Sequence, residues 1–120
     1  MDGEGTAQHW LLMASTALNP VTDAEHRFSA SLKMNRATML AAADELGVAT
    51  RDATAWTTAN SCPDIELRGR VALMLNTCAE AALTAQRAIT DPVADTEPVF
   101  RRLGDLLKII DFQSRALDDW

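Results

Sequence analysis

Residues 61–90 read SCPDIELRGRVALMLNTCAEAALTAQRAIT, and this stretch decides the fold. Within it Leu67, Val71, Met74, Cys78, Ala81, Ala85 and Ala88 recur at alternating spacings of four and three residues. That period puts all seven on one side of an α-helix, whereas a strand would scatter them over both faces. The small residues of its C-terminal half predict close approach of neighbouring helices. Ser61 is the expected cap, with Pro63 in the first turn and Asp64 three residues after the serine. Thr90-Asp91-Pro92 closes the helix, which is expected over 62–90.

Working outward toward the C-terminus, Asp95-Thr96-Glu97-Pro98 opens a last helix over about 96–119. Its stripe is Phe100, Leu103, Leu107, Ile110, Ser114 and Leu117. A second row, Val99, Leu106, Ile109, Phe112, Ala116 and Trp120, widens the apolar surface beyond a single seam. The polar strip is correspondingly narrow and holds two favourable i,i+4 pairs, Glu97 with Arg101 and Asp111 with Arg115. A helix this apolar is either central in the monomer or shared with a second chain. A small domain has difficulty wrapping one helix on three sides, which favours sharing. The second row is therefore the candidate interface, and Trp120, after two aspartates, is a candidate docking group.

Working back toward the N-terminus, Thr6 is the expected cap of a short helix carrying Trp10, Leu11, Ala14 and Leu18. Asn19-Pro20 is its expected end, because the residue before proline is pushed out of the α region. Thr22-Asp23-Ala24-Glu25 matches a capping box. Phe28, Leu32, Asn35, Met39, Ala42 and Leu46 then form a stripe with Gly47 as its stop. Asn35 is open to three readings: fixing register, bonding a neighbouring backbone group, or facing water. A short segment from Arg51 to Ala59 carries Trp56. The expected architecture is all-α and one domain over 1–120, with residues 1–5 disordered. It is an antiparallel helical bundle of three long helices (22–46, 62–90, 96–119) plus one or two short ones, four or five helices in all.

Composition agrees with this reading. Hydrophobic residues make up 48% and charged residues 23%, with 5 Gly, 4 Pro and no Tyr. That balance excludes a disordered chain and favours helix over strand. The net charge of -6 counts against non-specific binding to nucleic acid or anionic lipid. No apolar run reaches the length of a signal peptide or membrane span, so the chain reads as cytoplasmic. On one helix Cys62 and Cys78 would stand roughly 24 Å apart, beyond any disulfide. Both read as reduced thiols.

Candidate chemistry is sparse. Asp23-x-x-His26 is the nearest fit to half of a bundle di-metal site, and no second half accompanies it, because Thr6 precedes His9 by three. Two cysteines and two histidines at these spacings make no zinc cluster. Cys78 reads as a small buried hydrophobe. Cys62, near a helix N-terminus, is open to a lowered pKa but lacks a neighbouring base. No phosphate loop or nucleophile elbow occurs, so no catalytic residue, cofactor or metal is expected.

Residues 43–56, Ala43-Asp44-Glu45-Leu46-Gly47-Val48-Ala49-Thr50-Arg51-Asp52-Ala53-Thr54-Ala55-Trp56, resemble a helix-turn-helix core. The small residue at Ala43, glycine at Gly47, hydrophobe at Val48 and aromatic at Trp56 fall where that motif has them. The resemblance implies a turn at Gly47 and a DNA-reading helix carrying Thr50 and Arg51. Asp52 and the missing basic flank depart from it and leave few phosphate contacts.

Three functions follow as expectations. The first is an interaction module that self-associates as a homodimer, or docks to a protein partner, through its apolar last helix. The second is a carrier or accessory protein for a small apolar ligand, suggested by the Met, Ala and Trp mixture. The third is DNA binding through Gly47, Thr50, Arg51 and Trp56.

Overall fold

Four helices carry the chain: α1 (Gly3–Ser31), α2 (Arg36–Ala59), α3 (Ile65–Thr90) and α4 (Thr96–Asp118). The structure, a computed structural model, describes residues 3–90 and 96–118, with side chains over 6–88 and 97–117. Among these residues there is no strand, and the all-α expectation holds. The N-terminal half is divided differently from the sequence reading.

Residues 3–31 form one helix that runs through Asn19-Pro20 and takes in Gly3–Gly5, inside the stretch expected to be disordered. There is no short first helix and no capping box. The Thr22 hydroxyl instead donates back to the Leu18 carbonyl at 3.4 Å. An interior proline costs about 3 kcal/mol. Burial of Leu18, Val21 and Phe28 on either side of it contributes roughly 1.5–3 kcal/mol each and outweighs that cost. Thr16, whose carbonyl loses its donor to the proline ring, is exposed like Pro20 itself, so water reaches that side of the helix.

The break comes later. Leu32, Lys33 and Met34 turn the chain, and Asn35 caps α2 by accepting from the Thr38 N–H at 2.8 Å. Asn35 is exposed, so of its three readings the backbone bond and the contact with water both apply. From there α2 continues through Gly47, which does not adopt positive φ, and ends only at Ala59. The expected stop at Gly47 and the separate 51–59 helix are both replaced by this one element.

Helix α3 starts at Ile65, three residues after the expected point. Asp64, not Ser61, is the cap, its Oδ1 accepting from the Leu67 N–H at 2.9 Å. All seven residues of the predicted α3 stripe are buried. In α4 the buried residues are Leu103, Leu106, Ile110 and Leu117, with Val99 and Leu107 packed against them. Leu106 therefore belongs to the core and not to the outer row, and Phe100 is 40% exposed.

Neighbouring helices pack in chain order. The Trp10 and Trp56 rings lie 5.7 Å apart at 49°, and Trp10 Nε1 donates to the Asn60 carbonyl at 2.7 Å. Arg27 of α1 is ion-paired with Glu45 of α2. Gln86 of α3 donates to Asp44 of α2 at 2.6 Å, and Arg102 of α4 meets Glu80 of α3 at 2.6 Å. Helices α1 and α4 are not a close-packed pair and instead line a shared groove. The molecule measures 57 × 21 × 18 Å. No described helix is long and apolar enough to cross a membrane.

Candidate functional site

The outer side of α4 carries the chain's largest exposed aromatic surface among the described residues. Phe112 is 75% exposed and Ile109 43%, while Ala116 is half-buried beside them. Val99 is half-buried against the core, and Trp120 lies outside the described residues. The expected interface row thus reduces to Ile109, Phe112 and Ala116.

A residue of α3 joins it. Glu80 and Arg102 are in contact across the α3–α4 seam. Seven residues are two helical turns, so a step of seven returns to nearly the same side of a helix. Leu73 lies seven residues before Glu80 and Ile109 seven after Arg102, so both fall on the seam side that the ion pair occupies. The same seam brings Met74 and Ile110, one residue further along each helix, to a common cavity. Leu73 is 58% exposed. The result is an apolar patch of Leu73, Ile109, Phe112 and Ala116 near two ion pairs, Arg102–Glu80 and, one turn before Leu73 on α3, Arg70–Glu66 at 2.7 Å. Sequence reasoning missed Leu73 because its partners are on another helix and it lies off the α3 stripe.

On the opposite flank of α4, toward α1, charged side chains are mixed with apolar ones such as Met34 and Leu107. Glu25 and His26 of α1 and Lys108 and Asp111 of α4 line a broad open groove with Lys33. The only two lysines of the chain both lie here. Beneath the groove is a cavity of about 30 Å³ bounded by Glu25, Cys78 and Ile110, room for a single water. Burial pushes the Glu25 carboxyl above its usual range, opposed by His26, whose Nε2 stands 3.6 Å away, and reinforced by Asp111. Burial, with the Glu25 charge adding to it, raises the Cys78 thiol to about 12. Cys78 is therefore a neutral, inert thiol, and the groove holds no nucleophile of that kind.

Cys62 is also free and buried, at 1% exposure. It precedes α3 and sits outside the helix. Its carbonyl accepts from Arg68 Nε at 3.2 Å and Nη2 at 2.6 Å. Asp23 and His26 are exposed, and among the described residues no group of three metal-ligating side chains comes together.

The helix-turn-helix residues do not form that motif. Gly47, Thr50, Arg51 and Trp56 all lie along the uninterrupted α2, so there is no turn and no separate second helix. Thr50 is buried and donates to the Leu46 carbonyl at 2.7 Å. Trp56 packs on Trp10, and Arg51 alone of the four is exposed for contact. A Cβ at Gly47 would meet only the Ala82 Cβ, at an ordinary 3.8 Å, so neither a turn nor a close approach requires a glycine there. Comparison with protein-family models, with curated proteins and with solved structures finds no match for this chain.

Proposed function

We propose that this protein is a small helical interaction module that self-associates through the outer face of α4 and the adjoining part of α3. The observation that carries the reading is the exposure of Phe112 and Ile109 beside Leu73, on a helix whose own core contacts are already met by Leu103, Leu106, Ile110 and Leu117. The contacts along the chain support an antiparallel bundle: Trp10 meets Trp56, Arg27 meets Glu45, Asp44 meets Gln86, and Glu80 meets Arg102. In such a bundle α4 is an edge helix with one flank on α3 and its outer side free.

A second copy is the occupant this face suits best. The nearby ion pairs give the rim both signs and leave it without a single-sign field that would set two copies against each other at contact. An aromatic centre within a mixed-charge rim is the usual anatomy of an interface whose energy sits in a few residues. The chain works as a monomeric unit that pairs, in the cytoplasm, with no cofactor.

Native mass spectrometry of the untagged protein from its own host tests this. The expected result is a homodimer. Phe112→Asp should weaken it by at least about thirtyfold, near 2 kcal/mol, while leaving the helical signal unchanged. A monomeric protein carrying a different polypeptide would replace self-association with a heterologous partner, and a bare monomer would contradict the reading.

A further inference from the structure

A cavity away from α4 lies where the start of α1, the end of α2 and the first half of α3 converge. Its volume is about 310 Å³, the lower end of the range for small-molecule sites. Trp10, Val71, Ala72 and Leu75 form its apolar wall. The cavity exists because the chain between α2 and α3 is held aside. Asn60 is tied to α1 through the Trp10 indole, and Cys62 is tied to α3 through the Arg68 guanidinium.

Its polar groups are unevenly matched. The hydroxyls of Thr54, Thr57 and Thr58 donate to the carbonyls of Thr50, Thr54 and Thr54 at 2.8, 2.9 and 2.8 Å. Their protons are thereby engaged, and only acceptor lone pairs remain. Arg68 is the reverse. A guanidinium has five N–H donors, and two of these go to the Cys62 carbonyl, leaving three. No carboxylate lies within ion-pair distance of Arg68 among the described residues, since Asp64 is engaged at the start of α3. A cation with three free donors at the edge of an apolar, tryptophan-walled cavity suits an anionic group attached to a flat ring.

We propose that this cavity is a binding site for a small aromatic acid, one or two fused rings bearing a carboxylate or sulfonate. The ring lies against Trp10, Val71 and Leu75, and the acidic group pairs with Arg68. A ring substituent that donates a hydrogen bond finds its acceptors in the threonine row. The site shares no residue with the α4 patch and is independent of self-association.

The test is a titration of ¹⁵N-labelled protein with naphthalene-2-sulfonate, followed by amide shifts. Saturable shifts confined to Trp10 (its indole N–H included) and its immediate neighbours and to residues 54–62 and 68–76 are expected. Arg68→Gln should weaken binding by about tenfold or more, as loss of a charge-assisted bond does. The uncharged 2-naphthol should bind the native protein more weakly by a similar factor. Ala72→Trp, at an exposed alanine in the cavity wall, should abolish the shifts while its melting curve shows a folded protein. The proposal is overturned if millimolar sulfonate gives no saturable shifts, if the shifts fall instead around Ile109 and Phe112, or if Arg68→Gln binds as well as the native protein.

Discussion

Glu25 is the single charged side chain buried among the described residues, and its environment sets a pH dependence. Burial next to Cys78 and Asp111 outweighs the help from His26, so the carboxyl is easier to protonate in the folded state than in the unfolded chain. A carboxyl raised in this way contributes stability that is complete below its ordinary value of 4.5 and is lost as pH rises through the folded value. Glu25→Gln should therefore stabilise the protein at neutral pH by on the order of 1 kcal/mol. Thermal melts of the two proteins should converge below pH 4.5. An equal gap at both pH values would mean that the effect is packing and not charge. Gln113 is a second residue at odds with its surroundings. It falls on the heptad of Val99 and Leu106, and its Oε1 is buried without a donor. This polar intrusion was hidden in the sequence by assigning Ser114, its neighbour, to the stripe.

At the scale of the element, Gly47 separates local signals from packing. It is helical, has negative φ, and has an ordinary 3.8 Å neighbour where a Cβ would go. Gly47→Ala should accordingly stabilise α2 by about 0.5–1 kcal/mol, read as a rise in the urea midpoint with an unchanged slope. A glycine required for a turn would give a loss instead. The same distinction explains which helices were legible. Helix α3 was readable because its apolar period runs unbroken from Leu67 to Ala88, even though its cap is Asp64 and not Ser61. In α1 and α2 the proline and the glycine spoke for breaks, while the heptads spoke against them. Ala7, Ala14, Val21 and Phe28 recur every seven residues across Asn19-Pro20, as do Met39, Leu46 and Ala53 across Gly47. Those repeats are the signal that tertiary burial obeyed. In α4 the two expected surface pairs, Glu97–Arg101 and Asp111–Arg115, form at 3.6 and 3.2 Å, because each depends only on its own helix. Which apolar row faces inward depends on α3, and there the assignment of Leu106 failed. The cavity beside Arg68 had no sequence signal, since it arises from three helices and a connection.

At the scale of the whole molecule, shape makes the case for association. A radius of gyration of 15.3 Å exceeds the roughly 13.6 Å expected of a compact domain this long. A rod of this kind has much surface for its volume and leaves apolar side chains outside, of which Phe112, Ile109 and Leu73 share one seam. Pairing two rods along that seam thickens the assembly and gives α4 the second neighbour that α1, across its groove, does not provide. Each copy carries a net charge of -6, so two copies repel at long range. Salt shortens that repulsion to about 8 Å at physiological ionic strength. Sedimentation equilibrium of the native protein and of Ile109→Asp with Phe112→Asp, at low and physiological salt, tests this account most directly. It predicts a native dimer that tightens as salt is added and a folded monomer for the double variant. A native monomer at every concentration, or a dimer that survives both substitutions, would contradict it.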